Sequence, residues 1–167
     1  LEISVYYILK ENFSYHAFAG KEVNYTNVEF NYSVHFNEYG FRDNAFIPTD
    51  NYKIAIVGDS FVFGIGVQKN ETFEQSIEDE LNKRDPKNQI SVYNLGIPAA
   101  YLSEYLSTIK EMYPILRPNL TIVVLYLGND LVCTSDSKIS SFFLPNLQKL
   151  FQVLFQLPYF LCFLDKR

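Results

Sequence analysis

The sequence predicts a three-layer α/β fold with a parallel central sheet. Three observations carry this. Apolar, strand-like runs occur at residues 54–57, 90–95 and 120–127, helical patterns separate them, and each run ends in a loop that joins glycine to a polar residue. Strand, helix, strand, helix, strand in that order implies right-handed crossovers and a sheet covered on both faces. All three loops then emerge at one edge of the sheet, where open α/β folds place their sites.

The chain of 167 residues suits one domain with a substantial core. Residues 51–167 are expected to form that domain, with 1–50 as a strand-and-loop extension packed on it. A formal net charge of -5 and the lack of any basic run argue against a nucleic-acid partner. The 13 Tyr and 15 Phe read as core. Cys133 and Cys162 make no metal pattern. Residues 1–20 are apolar and aromatic, with no basic start and no long uncharged core, so they read as neither an export signal nor a membrane span.

Along the chain, Phe30, Tyr32, Val34 and Phe36 alternate with Asn31, Ser33 and His35, which reads as a half-buried strand with His35 on its polar face. His16, in a loop-like stretch, reads as solvated too. Residues 37–43, NEYGFRD, form a turn around Gly40. After the first sheet strand, Thr72 and Gln75 suggest a capping box. Phe73, Ile77 and Leu81 then recur every fourth residue, with Glu74, Glu78, Asp79, Glu80 and Lys83 facing out, until Asp85-Pro86 ends the helix. A second helix runs from Tyr101 to Met112, buries Leu102, Tyr105, Leu106 and Ile109, and is closed by Pro114 and Pro118. From Ser140 onward a strongly apolar segment with a narrow amide stripe needs cover, either by protein or, across residues 142–164, by a membrane or an acyl chain.

The loop after the first strand, Gly58-Asp59-Ser60, decides between site types. No Lys follows Gly64, as a phosphate-cradling P-loop requires, and the glycine spacing is not that of a dinucleotide fingerprint. Val62 stands where a nucleophile elbow needs glycine. These absences leave no cofactor motif. The block resembles instead the Gly-Asp-Ser block of the GDSL/SGNH hydrolases. Asn94-Leu95-Gly96 resembles the second block of that family and Gly128-Asn129-Asp130 the third, each at a strand end. The resemblance covers about residues 37–131 and implies the three-layer flavodoxin-like SGNH fold. It also implies Ser60 as nucleophile, and the Ser60 N–H, the Gly96 N–H and the Asn129 amide as donors to a carbonyl oxygen. Asp59 and Asp130 would tie down loop backbone, and Arg42 in the N-x-x-G-F-R-D stretch would brace the loops. The implied substrates are small-molecule, carbohydrate or lipid esters.

This chain departs from the pattern in three ways. Gly128 directly precedes Asn129, where the family spaces them. Ala99 and Ala100 follow Pro98, where a further glycine is frequent. No D-x-x-H follows Asn129, and both histidines precede Ser60. The last point leads to the expectation that the fold is incomplete at the C-terminus and that the base lies beyond Arg167. Two other readings stand beside the esterase: an envelope polysaccharide O-acyltransferase using the same serine, and a non-catalytic module without the His. The compartment stays open, with the cell envelope or export favoured.

Overall fold

The computed structural model describes residues 15–26, 28–126 and, as backbone, 160–165. β1 (Glu22–Thr26) and β2 (Asn31–His35) form an antiparallel hairpin, with Val23 opposite Val34 and Tyr25 opposite Tyr32. β2 has the expected alternation: Tyr32 and Val34 are buried, while Asn31, Ser33 and His35 are exposed. β1 is an addition to the sequence reading. Only the half-buried Val23 and Tyr25 mark its inner face, too weak an alternation to announce a strand. Tyr32, Val34, Phe36 and Phe63 form a small core that ties the hairpin to the main body.

The central sheet holds β3 (Tyr52–Gly58), β4 (Ile90–Gly96), β5 (Leu120–Tyr126) and β6 (Phe160–Asp165). All pairings are parallel and the order is β4-β3-β5-β6. The helical turn α1 (Ser60–Phe63) and helix α2 (Phe73–Arg84) connect β3 to β4; α3 (Leu102–Leu116) connects β4 to β5. The chain steps from β3 to one side and then crosses back to the other. Crossovers of one hand that run in opposite directions lie on opposite faces of the sheet. Accordingly Ile54, Ile56, Val92 and Ile122 meet Ile77 and Leu81 of α2, while Ala55, Val57, Leu95 and Val123 meet Tyr105, Ile109 and Met112 of α3. β3 is continuously apolar because both its faces are covered.

β6 adds a strand within the apolar tail. Phe160 to Asp165 is in register with Thr121 to Tyr126, so protein covers this part of the tail along one edge. Its signal is a short apolar run bounded by Pro158 and Asp165, the length of a strand and too short for a helix. The rest of 142–164 lies outside the described residues. Among the described residues no helix is long and apolar enough to cross a membrane.

Three local expectations change. α3 continues through Pro114 to Leu116. A proline in a last turn removes one hydrogen bond, and Leu116, 4 % exposed, anchors the turn in the core. Thr72 occupies the N-cap of α2, but no capping box forms there: its hydroxyl lies 2.5 Å from Lys69 O and 2.7 Å from Glu74 Oε1. Glu74, expected to face solvent, is 1 % exposed.

The outer edge of β4 is closed by side chains. Ile90 N–H donates to Asn82 Oδ1, Val92 N–H to Glu78 Oε2 and Asn94 N–H to Asp43 Oδ2, at 2.7, 2.6 and 2.7 Å. These alternate residues carry the outward-facing donors of the strand, which an open edge would leave unpaired.

The packing predicts a contrast within α3. Met112→Ala, at 0 % exposure, is expected to lose about 2–5 kcal/mol in urea denaturation. Ile115→Ala, at 46 % exposure, is expected to stay within about 0.5 kcal/mol of wild type.

Candidate active site

β3 ends at Gly58, which lies opposite Gly96 at the end of β4. The first two loops therefore start side by side, and Ile97 N–H donates to Gly58 O at 3.0 Å. Asp59 then caps the α1 turn, its Oδ1 accepting the Phe61 N–H at 2.9 Å, so its role is the backbone tie that the sequence suggested. Ser60 opens the turn and is partly exposed. Its N–H and hydroxyl have no hydrogen-bond partner among the described residues. Glycine is needed beneath this turn for space. A Cβ on Gly58 would lie 2.2 Å from Val62 Cγ2, and one on Gly96 would lie 2.2 Å from Phe63 N.

The third loop follows β5. The Tyr126 ring lies 5.1 Å from that of Phe61, which sets the end of β5 beside the Ser60 turn. In a sheet ordered β4-β3-β5, the ends of β3 and β5 flank the point where the chain reverses direction, the usual place for a site. Asn129, with Gly128 and Asp130, lies outside the described residues.

The second loop differs from expectation in detail. Gly96 N–H donates to Asn94 Oδ1 at 2.9 Å, and Asn94 Nδ2 donates to Val62 O at 2.8 Å. Asn94, 0 % exposed, thus joins the loop to α1 and takes up the donor assigned to Gly96. Further on, Ala99 has φ 60°, a left-handed conformation that favours glycine. Its N–H has no partner among the described residues. The sequence signal was the alanine pair after Pro98, where glycine is frequent in the family that the chain resembles.

A buried polar frame holds the Ser60 loop from behind. Arg42, 1 % exposed, donates from Nη1 to Phe63 O at 3.2 Å and to Gly64 O, and from Nη2 to Val67 O at 2.5 Å. Its guanidinium carbon stands 5.4 Å from the Tyr32 ring centre and 5.6 Å from that of Phe63. Burial draws the Arg42 pKa down, and Tyr32, Glu74 and Tyr25 oppose that. Beside it, Lys69 Nζ bridges Asp43 at 3.0 Å and Glu74 at 2.9 Å. Burial alone would lower the Lys69 pKa, but the Asp43 and Glu74 carboxylates outweigh it and leave it raised. Burial pushes the Asp43 carboxyl up, and Lys69 and the Asn94 N–H pull it only part of the way back.

The histidines take no part in this arrangement. His16 Nε2 lies 2.9 Å from Glu111 Oε1 on α3, and His35 is exposed on β2; neither is hydrogen-bonded to Ser60. In front of Ser60 lies an open cleft of about 440 Å³, lined by Ser60, Phe61, Ile65, Val67, Glu71 and Phe73 among others.

No family model matches the chain, and no curated protein matches it. Solved structures do. The chain is similar to AlinE4, an SGNH-hydrolase family esterase, at 26 % identity and TM-score 0.52, over 69 % of this chain and 60 % of that one. The chain has the SGNH-hydrolase fold. TesA shares it at 20 % identity and TM-score 0.52, over 66 % of this chain and 58 % of that one. So does a lipase/acylhydrolase from Enterococcus faecalis, at 16 % identity and TM-score 0.52, over 68 % and 57 %. The matched region spans about 60 % of the length of these structures. On the SGNH fold Ser60 stands at the carboxyl end of the first strand of the sheet, as the sequence reading expected.

Two outcomes follow from the frame. Arg42→Lys keeps the charge but cannot reach three carbonyls, and is expected to cost about 1–3 kcal/mol for each acceptor left bare, read by chemical denaturation. Lys69→Met is expected to cost about 3 kcal/mol at neutral pH, the low end for a broken buried pair because Lys69 is partly exposed. The sign with pH is fixed by Asp43. Without Lys69 its pKa rises further, and a carboxyl raised on folding favours the folded state below its ordinary 3.8 and loses that stability as pH climbs through the folded value. The deficit of the variant therefore grows from acid toward neutral pH in a denaturation series.

Proposed function

We propose that this chain carries the nucleophile and the oxyanion donors of an SGNH-type serine esterase. Ser60 Oγ attacks the ester carbonyl carbon, the new O–C bond forms as the alkoxy bond breaks, and the proton leaves with the alcohol. Water then releases the acid from the acyl-enzyme and restores the Ser60 hydroxyl. Negative charge on the carbonyl oxygen is met by the Ser60 N–H, a second-loop N–H and the Asn129 amide. In the second loop, Gly96 reaches that oxygen only by giving up its bond to Asn94, whereas the Ala99 N–H carries no such cost. Neither His16 nor His35 acts as the base, since one is paired on α3 and the other faces solvent.

The observation that carries this reading is Ser60 itself: a hydroxyl with no partner among the described residues, at the start of a helical turn, at the sheet edge beside the β3/β5 switch, opening onto a cleft. The resemblance of 26 % to an SGNH-hydrolase family esterase supports it. The full-length protein is expected to hydrolyse p-nitrophenyl esters, and Ser60→Ala is expected to reduce the rate to background. Asn129→Ala should lower kcat by about 10²–10³-fold with the fold intact by circular dichroism. Equal rates for wild type and Ser60→Ala would remove the esterase reading.

A further inference from the structure

A second cleft, of about 240 Å³, lies along the outer edge of β4, between that strand and the connector 43–51. It shares no lining residue with the cleft at Ser60. Its strand wall is Ser91 to Tyr93, which stops short of the Gly96 loop by on the order of 10 Å along the strand. The walls are tied together. Asn51 Nδ2 donates to Ser91 Oγ at 3.0 Å, Thr49 Oγ1 accepts the Asn51 N–H at 3.2 Å, and Glu78 Oε2 accepts the Val92 N–H at 2.6 Å. Those bonds leave polar atoms unused. The second Glu78 oxygen, Asn51 Oδ1 and the Asn44 side-chain amide have no hydrogen-bond partner among the described residues.

The chemistry of the walls narrows the ligand. The charged side chains on them are Asp43 and Glu78, both acidic, so an anion is repelled. Burial raises the Tyr93 pKa against its hydrogen bond to Ser91, and the Asp43 and Glu78 charges add to the rise. A metal ion lacks donors. Both Asp43 oxygens are engaged, by Lys69, the Asn44 N–H and the Asn94 N–H, and among the described residues no group of three His, Cys, Asp or Glu side chains is placed to hold one. Lys69 also neutralises Asp43 from inside, which leaves one uncompensated carboxylate for an organic cation. An apolar ligand would cover amides and a carboxylate without partners. A neutral polyhydroxyl ligand fits, because each hydroxyl both donates and accepts. It can donate to Glu78 and to Asn51 Oδ1 and accept from Asn44 Nδ2. The volume, below that of drug-sized pockets, suits one sugar ring. Ile47, 71 % exposed, lines the cleft and offers aliphatic surface to the C–H face of such a ring.

We infer that the cleft between β4 and the 43–51 connector binds one ring of a neutral saccharide, with Glu78 and Asn51 as its hydrogen-bonding anchors. The site is separate from Ser60 and does not rest on the esterase reading. It is joined to the Ser60 region through Asp43, which holds the Asn94 N–H, while the Asn94 side chain holds Val62 O and the Gly96 N–H.

Amide NMR of the full-length protein tests this with glucose, xylose and N-acetylglucosamine, and with putrescine and acetate as charged controls. At least one sugar is expected to saturate with a Kd of about 1–10 mM and to shift the Val92 and Asn94 amides, which Glu78 and Asp43 hold. Glu78→Gln keeps an oxygen for the Val92 N–H and should weaken that sugar about threefold to tenfold, since a charged acceptor binds a hydroxyl more strongly. Asn51→Ala should weaken it by a similar factor. Amide dispersion equal to wild type shows that each variant is folded. If Asn51→Ala loses it, Glu78→Gln, which leaves the packing volume unchanged, decides alone. Three results overturn the site: no sugar moving these amides at about 100 mM, either charged control moving them at lower concentration than the sugars, or shifts confined to the Ser60 turn. Sugar binding unchanged in the folded variants would overturn it too. None of these results bears on ester hydrolysis, so the esterase reading stands or falls by Ser60→Ala.

Discussion

The carbonyl oxygens of Phe63, Gly64 and Val67 turn into protein instead of water, and the Arg42 guanidinium is what meets them. Orphaned carbonyls at depth would make this loop unstable, and few side chains can serve three acceptors at once. A flat fork of donors can, with the Tyr32 and Phe63 rings beside it. Taking a guanidinium out of water is unfavourable, and the carbonyls, the rings and the Glu74 field offset that. The placement of Ser60 therefore depends on a residue that lies before the sheet in the chain. The segment containing Arg42 and Asp43 is part of the site's construction although it supplies no reacting atom.

The same frame explains why polar residues sit in the interior of a largely apolar α/β body. Asp43 touches both the Asn94 N–H and Lys69, Lys69 touches Glu74, and Glu74 touches Thr72. Asn94 in turn grips Val62 O and Gly96 N–H. First loop, second loop and the start of α2 are thus joined through a chain of polar contacts. Such a network fixes geometry better than apolar packing, because each hydrogen bond has a direction.

Much of this was legible in the sequence and some was not. The three sheet strands were visible because both faces are covered, which leaves apolar runs with clear ends. The position of Ser60 was visible because a buried run that stops at Gly-Asp-Ser has one place to put its hydroxyl. β6 was missed because its short apolar run follows a longer helix-like stretch and was read as part of it. Glu74 was misplaced because helical periodicity assigns charge to solvent and cannot see a lysine and a threonine waiting inside. The direction of the Gly96 N–H was hidden for a related reason. It depends on Asn94 folding back on its own loop, a side-chain choice that no spacing records. Asn129 was legible as a motif residue, and the described chain ends β5 at Tyr126, just before it.

The closed flank of β4 has a consequence of its own. Asn82 and Glu78 come from a helix and Asp43 from a connector, so the outermost rung of the ladder is built by residues that are not in the sheet. A second molecule approaching along that side meets amides already engaged and carboxylates that repel its own carbonyls. Copies of the protein can therefore crowd together without splicing their sheets through this flank. Glu78, which reads in the sequence as ordinary surface charge, occupies an edge donor that an added strand would need.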